Sequence, residues 1–281
     1  MSDPGLVKKT LKILQTYQIR PSKNMGQSYV VDPELIFCII GAAKLERGET
    51  VLEIGAGTGN LTAEIAEIAG KVIAVEKDSK TAEALRNRFL NRSNVEIVTD
   101  DVLLMDLPKV DKIISNLPYS ISTPLTFKIL FEGRFSLAAL TYQKEVADRL
   151  LAEPGEREYS RLSVAASLLA EIKRIKDFPP ESFFPVPAVE STVVVLRKKA
   201  EAAGTDWKCL DEALKFLFSQ RRRTLRKALE TYSKVRHVEL SCLLEGAGED
   251  MIKTRVCELR PEEFVRISLL FKDRTKAEKD R

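Results

Sequence analysis

Histidine is nearly absent from this chain. Of 281 residues only His237 is one, and it stands near the C-terminus, away from any motif with chemical character. That excludes a histidine general base and a histidine metal cluster. Cysteine is sparse as well. Cys38, Cys209, Cys242 and Cys257 are scattered without a C-x-x-C pair, so neither a disulfide framework nor a metal site is expected. Reduced thiols in a cytoplasmic protein are the reading. No apolar run approaches the roughly 20 residues that span a bilayer, and the N-terminal segment lacks the apolar core of a signal peptide. Neither sign of charge dominates. Lys and Arg number 45 against 41 Asp and Glu, a net charge of +4. So mild a balance points only weakly to nucleic acid, and the distribution of charge matters more than its sum.

What is present suffices for one large core and a smaller second unit, since 44% of the residues are hydrophobic. Residues 6–18 (LVKKTLKILQTYQ) have helical apolar spacing with lysines on the other face. Asp32-Pro33 reads as the N-cap and first residue of a helix running to about Ala43. From Thr50 onward short buried strands alternate with helices. Strands are expected over 51–54, 71–76, 95–98, 112–115 and 137–142, and one more over 191–197. Helices are expected from Asn60 to Ala69, from Ser79 to about Leu90, and from about Pro124. This order predicts an α/β fold, a doubly wound, Rossmann-like parallel sheet. The stretch AEAAGTD after Lys199 reads as a linker, and from about Trp207 only helical periodicity remains. The predicted domains are therefore 1–200 and a small all-helical 201–281.

Two loops carry chemical character. The first expected strand, VLEI, runs into Gly55-Ala56-Gly57-Thr58-Gly59 before a helix. A dinucleotide fold calls for G-x-G-x-x-G. Here the third glycine arrives one residue early, which opposes a nicotinamide enzyme and matches the loop of S-adenosylmethionine enzymes. Glu76 ends the second strand, 19 residues after Gly57, where a carboxylate can accept both ribose hydroxyls. Asp101, or its neighbour Asp100, follows the third strand and can contact the adenine amino group. Glu53, Lys77 and Val102 flank these positions and, with Asn116, complete the expected cofactor pocket. The fourth strand ends in Asn116-Leu117-Pro118-Tyr119, at the end of the sheet where doubly wound folds bind ligands. An exocyclic adenine amine is a poor nucleophile because its lone pair is delocalised into the ring. The Asn116 side-chain carbonyl and the Leu117 main-chain carbonyl can accept its two N–H bonds and free that lone pair. Pro118 stiffens the loop, and Tyr119 offers a flat face for a flipped base. No general base is required, which suits a chain with one stray histidine.

These blocks, with several others, resemble the rRNA adenine N6,N6-dimethyltransferases of the KsgA/Dim type. Lys23-Asn-Met-Gly26-Gln27-Ser-Tyr29 is similar to the family's K-x-x-G-Q-x-F opening. VLEIGAGTGNLT, NLPYSISTP and QKEVADRLLAEPGEREYSRLSV resemble further family blocks. Residues 179–191 (PPESFFPVPAVES) are similar to P-P-x-x-F-x-P-x-P-x-V-x-S, and residues 218–225 (FSQRRRTL) to F-x-Q-R-R-K-x-L. The resemblance implies a class I methyltransferase domain that binds S-adenosylmethionine, with Gln27 and Tyr29 lining the cofactor pocket. It implies Phe183 beside the target adenine, whereas Phe184, an aromatic in a proline-rich loop, reads as packing. It also implies an activity: dimethylation of two adjacent adenosines near the 3′ end of small-subunit rRNA, with a part in ribosome biogenesis. The Erm branch, which acts on large-subunit rRNA, resembles the chain less. A rival reading keeps the fold for binding alone, as an assembly or transcription factor.

Arg221, Arg222, Arg223, Arg226 and Lys227 lie between Ser219 and Leu229 with no acid among them. They are the expected RNA contacts, or in part braces at a domain interface. Lys8, Lys9, Lys12, Arg20 and Lys23 give the N-terminal segment a basic cast. The expected partner is rRNA within a small ribosomal subunit or its precursor, and the expected state is a monomer.

Overall fold

The structure is a computed structural model that describes residues 2–22, 26–199 and 206–279, with side chains as far as Lys272. Lys23 and the expected linker up to Thr205 lie outside the described residues. In chain order the regular elements are α1 (Pro4–Thr16), β1 (Tyr29–Val30), α2 (Pro33–Ala43), β2 (Thr50–Ile54), α3 (Asn60–Ala66), β3 (Lys71–Glu76), α4 (Ser79–Arg88), β4 (Val95–Thr99) and β5 (Lys112–Asn116). There follow α5 (Ser122–Glu132), β6 (Leu137–Gln143), α6 (Lys144–Leu151), α7 (Arg161–Leu169), β7 (Ala170–Phe178), β8 (Phe183–Phe184) and β9 (Ser191–Lys198). The chain ends in α8 (Trp207–Phe218), α9 (Leu225–Arg236), α10 (Leu240–Ala247), α11 (Glu249–Lys253) and α12 (Pro261–Lys279).

The chain divides into two compact units, Met1–Ala147 with Ala170–Lys198, and Asp148–Leu169 with Lys199–Arg281. The first holds a seven-stranded sheet of order β4-β3-β2-β5-β6-β9-β7. Strands β4 to β6 in this order run parallel, as expected. The last two do not. β9 pairs antiparallel with both β6 and β7, so the sheet is mixed rather than parallel. β7 was not foreseen at all. Its residues, AEIKRIKDF, set charges among isoleucines on an edge strand, and a bulge between Arg174 and Lys176 breaks the alternation that marks a strand. β1 and β8, of two residues each, pair antiparallel outside this sheet and are too short to carry a periodic signal.

Helix α2 shows how local sequence sets an element. Asp32 caps it through Oδ1, which accepts the Glu34 N–H, and Pro33 opens its first turn. The other carboxylate oxygen accepts the Ser182 hydroxyl at 2.7 Å, tying the helix start to the segment before β8. Leu35, Ile36 and Ile39 then bury against Val51 of β2 and Ile114 of β5. Each such side chain contributes about 1.5–3 kcal/mol by leaving water.

The second unit packs its helices round Leu214, Leu217, Leu229 and Phe264. It begins earlier than the expected cut near residue 200. Tyr159 and Val164 belong to this core, the Tyr159 hydroxyl donates to the Leu259 carbonyl at 2.8 Å, and Arg161 pairs with Asp211 at 2.6 Å. These contacts join residues 50 to 100 apart, which helical periodicity does not reveal. Among the described residues no helix is long and apolar enough to cross a membrane.

Candidate active site

The sheet reverses its winding between β2 and β5. The chain moves from β2 outward to β3 and β4, then returns to the other side of β2 as β5. Adjacent strand ends therefore send their loops apart and leave a crevice, the ligand position of doubly wound folds. The glycine loop leaves β2 there and the Asn116 loop leaves β5. A cavity of about 290 Å³ opens between them.

Gly55 and Gly57 line this cavity, with φ of +71° and +58°. A Cβ on Gly55 would lie 2.8 Å from Pro118 Cγ, and one on Gly57 2.8 Å from Tyr29 Cδ1. Only glycine fits both the left-handed backbone and the space. The Gly57 N–H donates to Glu76 Oε2 and the Asp78 N–H to Glu76 Oε1, each at 3.0 Å. Glu76 lines the cavity and is thereby aimed, with lone pairs left over for two further donors. Burial pushes its carboxyl above the ordinary range, against the pull of these backbone donors.

Gln27, Tyr29, Lys77, Asp100, Asp101, Val102 and Asn116 line the same cavity. Lys77 Nζ pairs with Asp101 Oδ2 at 2.7 Å, and that hydrogen bond, with one from the Leu103 N–H, holds Asp101 below the usual carboxylate range. Gln27 accepts the Ser22 N–H through Oε1. Of the residues named from sequence for the cofactor, two stand elsewhere, and Leu117, Tyr119 and Phe183, named for the base, do not line the cavity either. A Cβ on Gly59 would meet Phe89 and Leu85, away from the cavity. Glu53 lies in a separate void of about 30 Å³ that Asn116 also borders. It is 2% exposed, its Oε2 has no hydrogen-bond partner, and burial pushes its carboxyl up to about 8 against the pull of the Thr62 side chain and, less strongly, of nearby Arg88. Ser28, Leu103 and Ile121 also line the main cavity and were not singled out from sequence. The latter two are aliphatic wall residues with no signature beyond hydrophobicity. These groups fit S-adenosylmethionine: an aliphatic slot for the purine, a carboxylate for the ribose diol, and a glycine floor that admits close approach.

The Asn116 loop is held from behind. Its Nδ2 donates to the Ser28 carbonyl at 2.9 Å, which fixes the amide and leaves Oδ1 buried without a donor. Leu117 is buried and Pro118 lines the cavity. Tyr119 shares a 2.7 Å hydroxyl contact with Ser191 and meets the Phe183 ring edge to face, centroids 6.3 Å apart. Burial raises the Tyr119 hydroxyl to about 12, so it stays protonated. Phe183 is only 1% exposed and does not border the cavity, whereas Phe184, read as packing, is half-buried at the surface. Pairing of β1 with β8 accounts for the difference, because it sets Val30 against Phe183 and Tyr29 against Phe184.

The basic cluster is split by the structure. Arg221 donates to the carbonyls of Glu156 and Arg157 and so braces a loop within its own unit. Arg223 reaches Gln220 and Thr231. Arg222, Arg226 and Lys227 are exposed and have no partner among the described residues.

The mixed sheet, the glycine loop and the carboxylate at its side define a class I, S-adenosylmethionine-dependent methyltransferase. Comparison carries the assignment further. The profile of the family described as ribosomal RNA adenine dimethylase matches residues 19–273, and the chain belongs to that family. It is 40% identical over 266 residues to a probable ribosomal RNA small subunit methyltransferase A of Methanothermobacter thermautotrophicus, covering 94% of this chain and 96% of the relative. A relative of the same name from Methanosphaera stadtmanae is also 40% identical, with 93% and 97% covered. Among solved structures, a dimethyladenosine transferase from Plasmodium falciparum superposes with a TM-score of 0.76 at 30% identity, over 88% of this chain and 98% of that one. The 23S rRNA methyltransferase ErmE gives 0.64 at 27% identity, over 87% and 99%.

Proposed function

We propose that this protein dimethylates N6 of two adjacent adenosines near the 3′ end of small-subunit rRNA, acting as a cytoplasmic monomer on the small subunit or its precursor during ribosome biogenesis. The buried Asn116 Oδ1 carries the reading. An unpaired buried acceptor costs about 1–3 kcal/mol, and this one stands at the cavity's edge with its amide already fixed by Ser28. An exocyclic amine is a donor that satisfies it.

S-adenosylmethionine, when bound, supplies a methyl group made electrophilic by its sulfonium. The protein's part is to present the amine. Asn116 Oδ1 and the Leu117 carbonyl accept the two N–H bonds and draw the nitrogen toward tetrahedral geometry. Tyr119 stacks on the ring, with Phe183 supporting it from the side. The freed lone pair would face the methyl group of a cofactor held by Glu76, Asp101 and the glycine loop, and the proton, acidic once the nitrogen is alkylated, would pass to water. Positioning and fixed dipoles provide the rate. Arg222, Arg226 and Lys227 contact RNA phosphates in this reading, while Arg221 and Arg223 serve the helical unit's own structure.

The test is to incubate the protein with labelled S-adenosylmethionine and small subunits that lack the modification, then digest the rRNA and weigh its nucleosides. N6,N6-dimethyladenosine from the 3′ region is the expected product. Cofactor binding without transfer to any rRNA would overturn the reading.

A further inference from the structure

A second cavity, of about 960 Å³, lies beside the first, and Gln27 lines both. It is walled by the end of α1, residues 18–22 that follow it, the start of α4, and Phe184-Pro185. The methyl transfer described above uses none of these walls. Phe184 rests half-buried on the cluster of Leu14, Ile19 and Tyr29. Arg20 and Lys80 line the cavity, are exposed, and have no ion-pair partner among the described residues. The one acid there, Asp78, is occupied in capping α4 through the Thr81 N–H and hydroxyl. Lys8 and Lys12, one turn apart on α1, extend the basic surface from Gln15 at the cavity wall.

Gln18 is the unusual wall residue. It follows the end of α1 with φ of +52°, a left-handed conformation that glycine adopts freely and a side chain disfavours. The strain places an amide, with both donor and acceptor, in the cavity wall. An aromatic ring, an amide and two unpaired cations suit a nucleotide better than a protein surface, which would demand more apolar area. A polynucleotide that sends one base into an active site must also run on beyond it.

We propose that this groove seats the nucleotide next to the methylated adenosine, its base against Phe184 and the Gln18 amide, its phosphate between Arg20 and Lys80. The inference rests on the rRNA substrate of the preceding section. It is tested with the full-length chain, by steady-state kinetics on unmodified small subunits and by anisotropy with a fluorescein-labelled hexa-adenylate. Phe184→Ala is expected to raise KM for the subunit by roughly 5- to 100-fold, the range of one lost base stack, with S-adenosylmethionine affinity unchanged. Gln18→Gly is expected to raise Tm, by removing the left-handed strain, and yet raise KM severalfold. A purely structural role would give a raised KM only together with a lowered Tm. Arg20→Ala with Lys80→Ala, which together hold one phosphate, should lower the slope of log KM against log salt by about 0.7. Hexa-adenylate binding should weaken in all three variants.

Unchanged KM in Phe184→Ala and Gln18→Gly overturns the proposal, as does a parallel loss of cofactor affinity. A raised KM with undiminished hexa-adenylate binding also overturns it, because a ribosomal protein then fills the groove. Absence of methyl transfer by the unaltered protein defeats the substrate reading instead, and hexa-adenylate binding still decides the groove.

Discussion

Glu53 offers a quantitative test of the site's electrostatics. It is fully buried one strand residue before the glycine loop, and burial lifts its carboxyl from 4.5 to about 8. The folded protein thus keeps a proton that the unfolded chain releases. Stability from this group is complete below pH 4.5, declines as pH rises, and levels off above pH 8. The full span is worth roughly 5 kcal/mol, and about 3 kcal/mol of it is lost by pH 7. Glu53→Gln keeps the shape and removes the proton equilibrium. Relative to the unaltered protein it should gain stability steadily between pH 5 and 8, by several degrees in Tm at neutral pH. Scanning calorimetry of both proteins at half-unit steps measures this, and the difference cancels every other titrating group. Parallel pH profiles would refute the reasoning, since they require an ionised Glu53 balanced by Arg88.

Three further outcomes follow from the geometry. Gly57→Ala places a Cβ 2.8 Å from the Tyr29 ring at a φ of +58°, so calorimetric titration should show cofactor affinity reduced tenfold or more. Glu76→Gln loses a charge-assisted acceptor of about 1.5–3 kcal/mol, expected as a 10- to 100-fold weaker cofactor Kd. Replacing Arg222, Arg226 and Lys227 together by alanine should raise KM for the subunit and reduce its salt slope by about 2, whereas Arg221→Ala should chiefly lower Tm because it releases the loop at Glu156 and Arg157.

Much of this protein was legible in its sequence wherever the signal was local. Buried parallel strands read as continuous apolar runs, so β2, β3 and β5 were placed within a residue, and Asp32-Pro33 marked the start of α2. The crevice could be located because glycines and a strand-end carboxylate advertise their geometry. Long-range pairing was not legible. β7 hides behind its edge charges, and residues 148–169 join the helical unit through Tyr159 and Arg161, whose partners lie far along the chain. The same limit applied within the site. Nothing local said that Ser28 would hold Asn116, that Ser191 would hold Tyr119, or that Phe183 and Phe184 would exchange their expected exposures.

The account turns on Asn116 as acceptor for the reacting amine, and single-turnover methyl transfer by Asn116→Ala tests it most directly. At saturating cofactor the rate on unmodified small subunits should fall by about 10²- to 10³-fold, as when one preorganised dipole is removed, well beyond any rise in cofactor Kd. A rate close to that of the unaltered protein, or a rate that falls only as far as cofactor affinity does, would contradict the account.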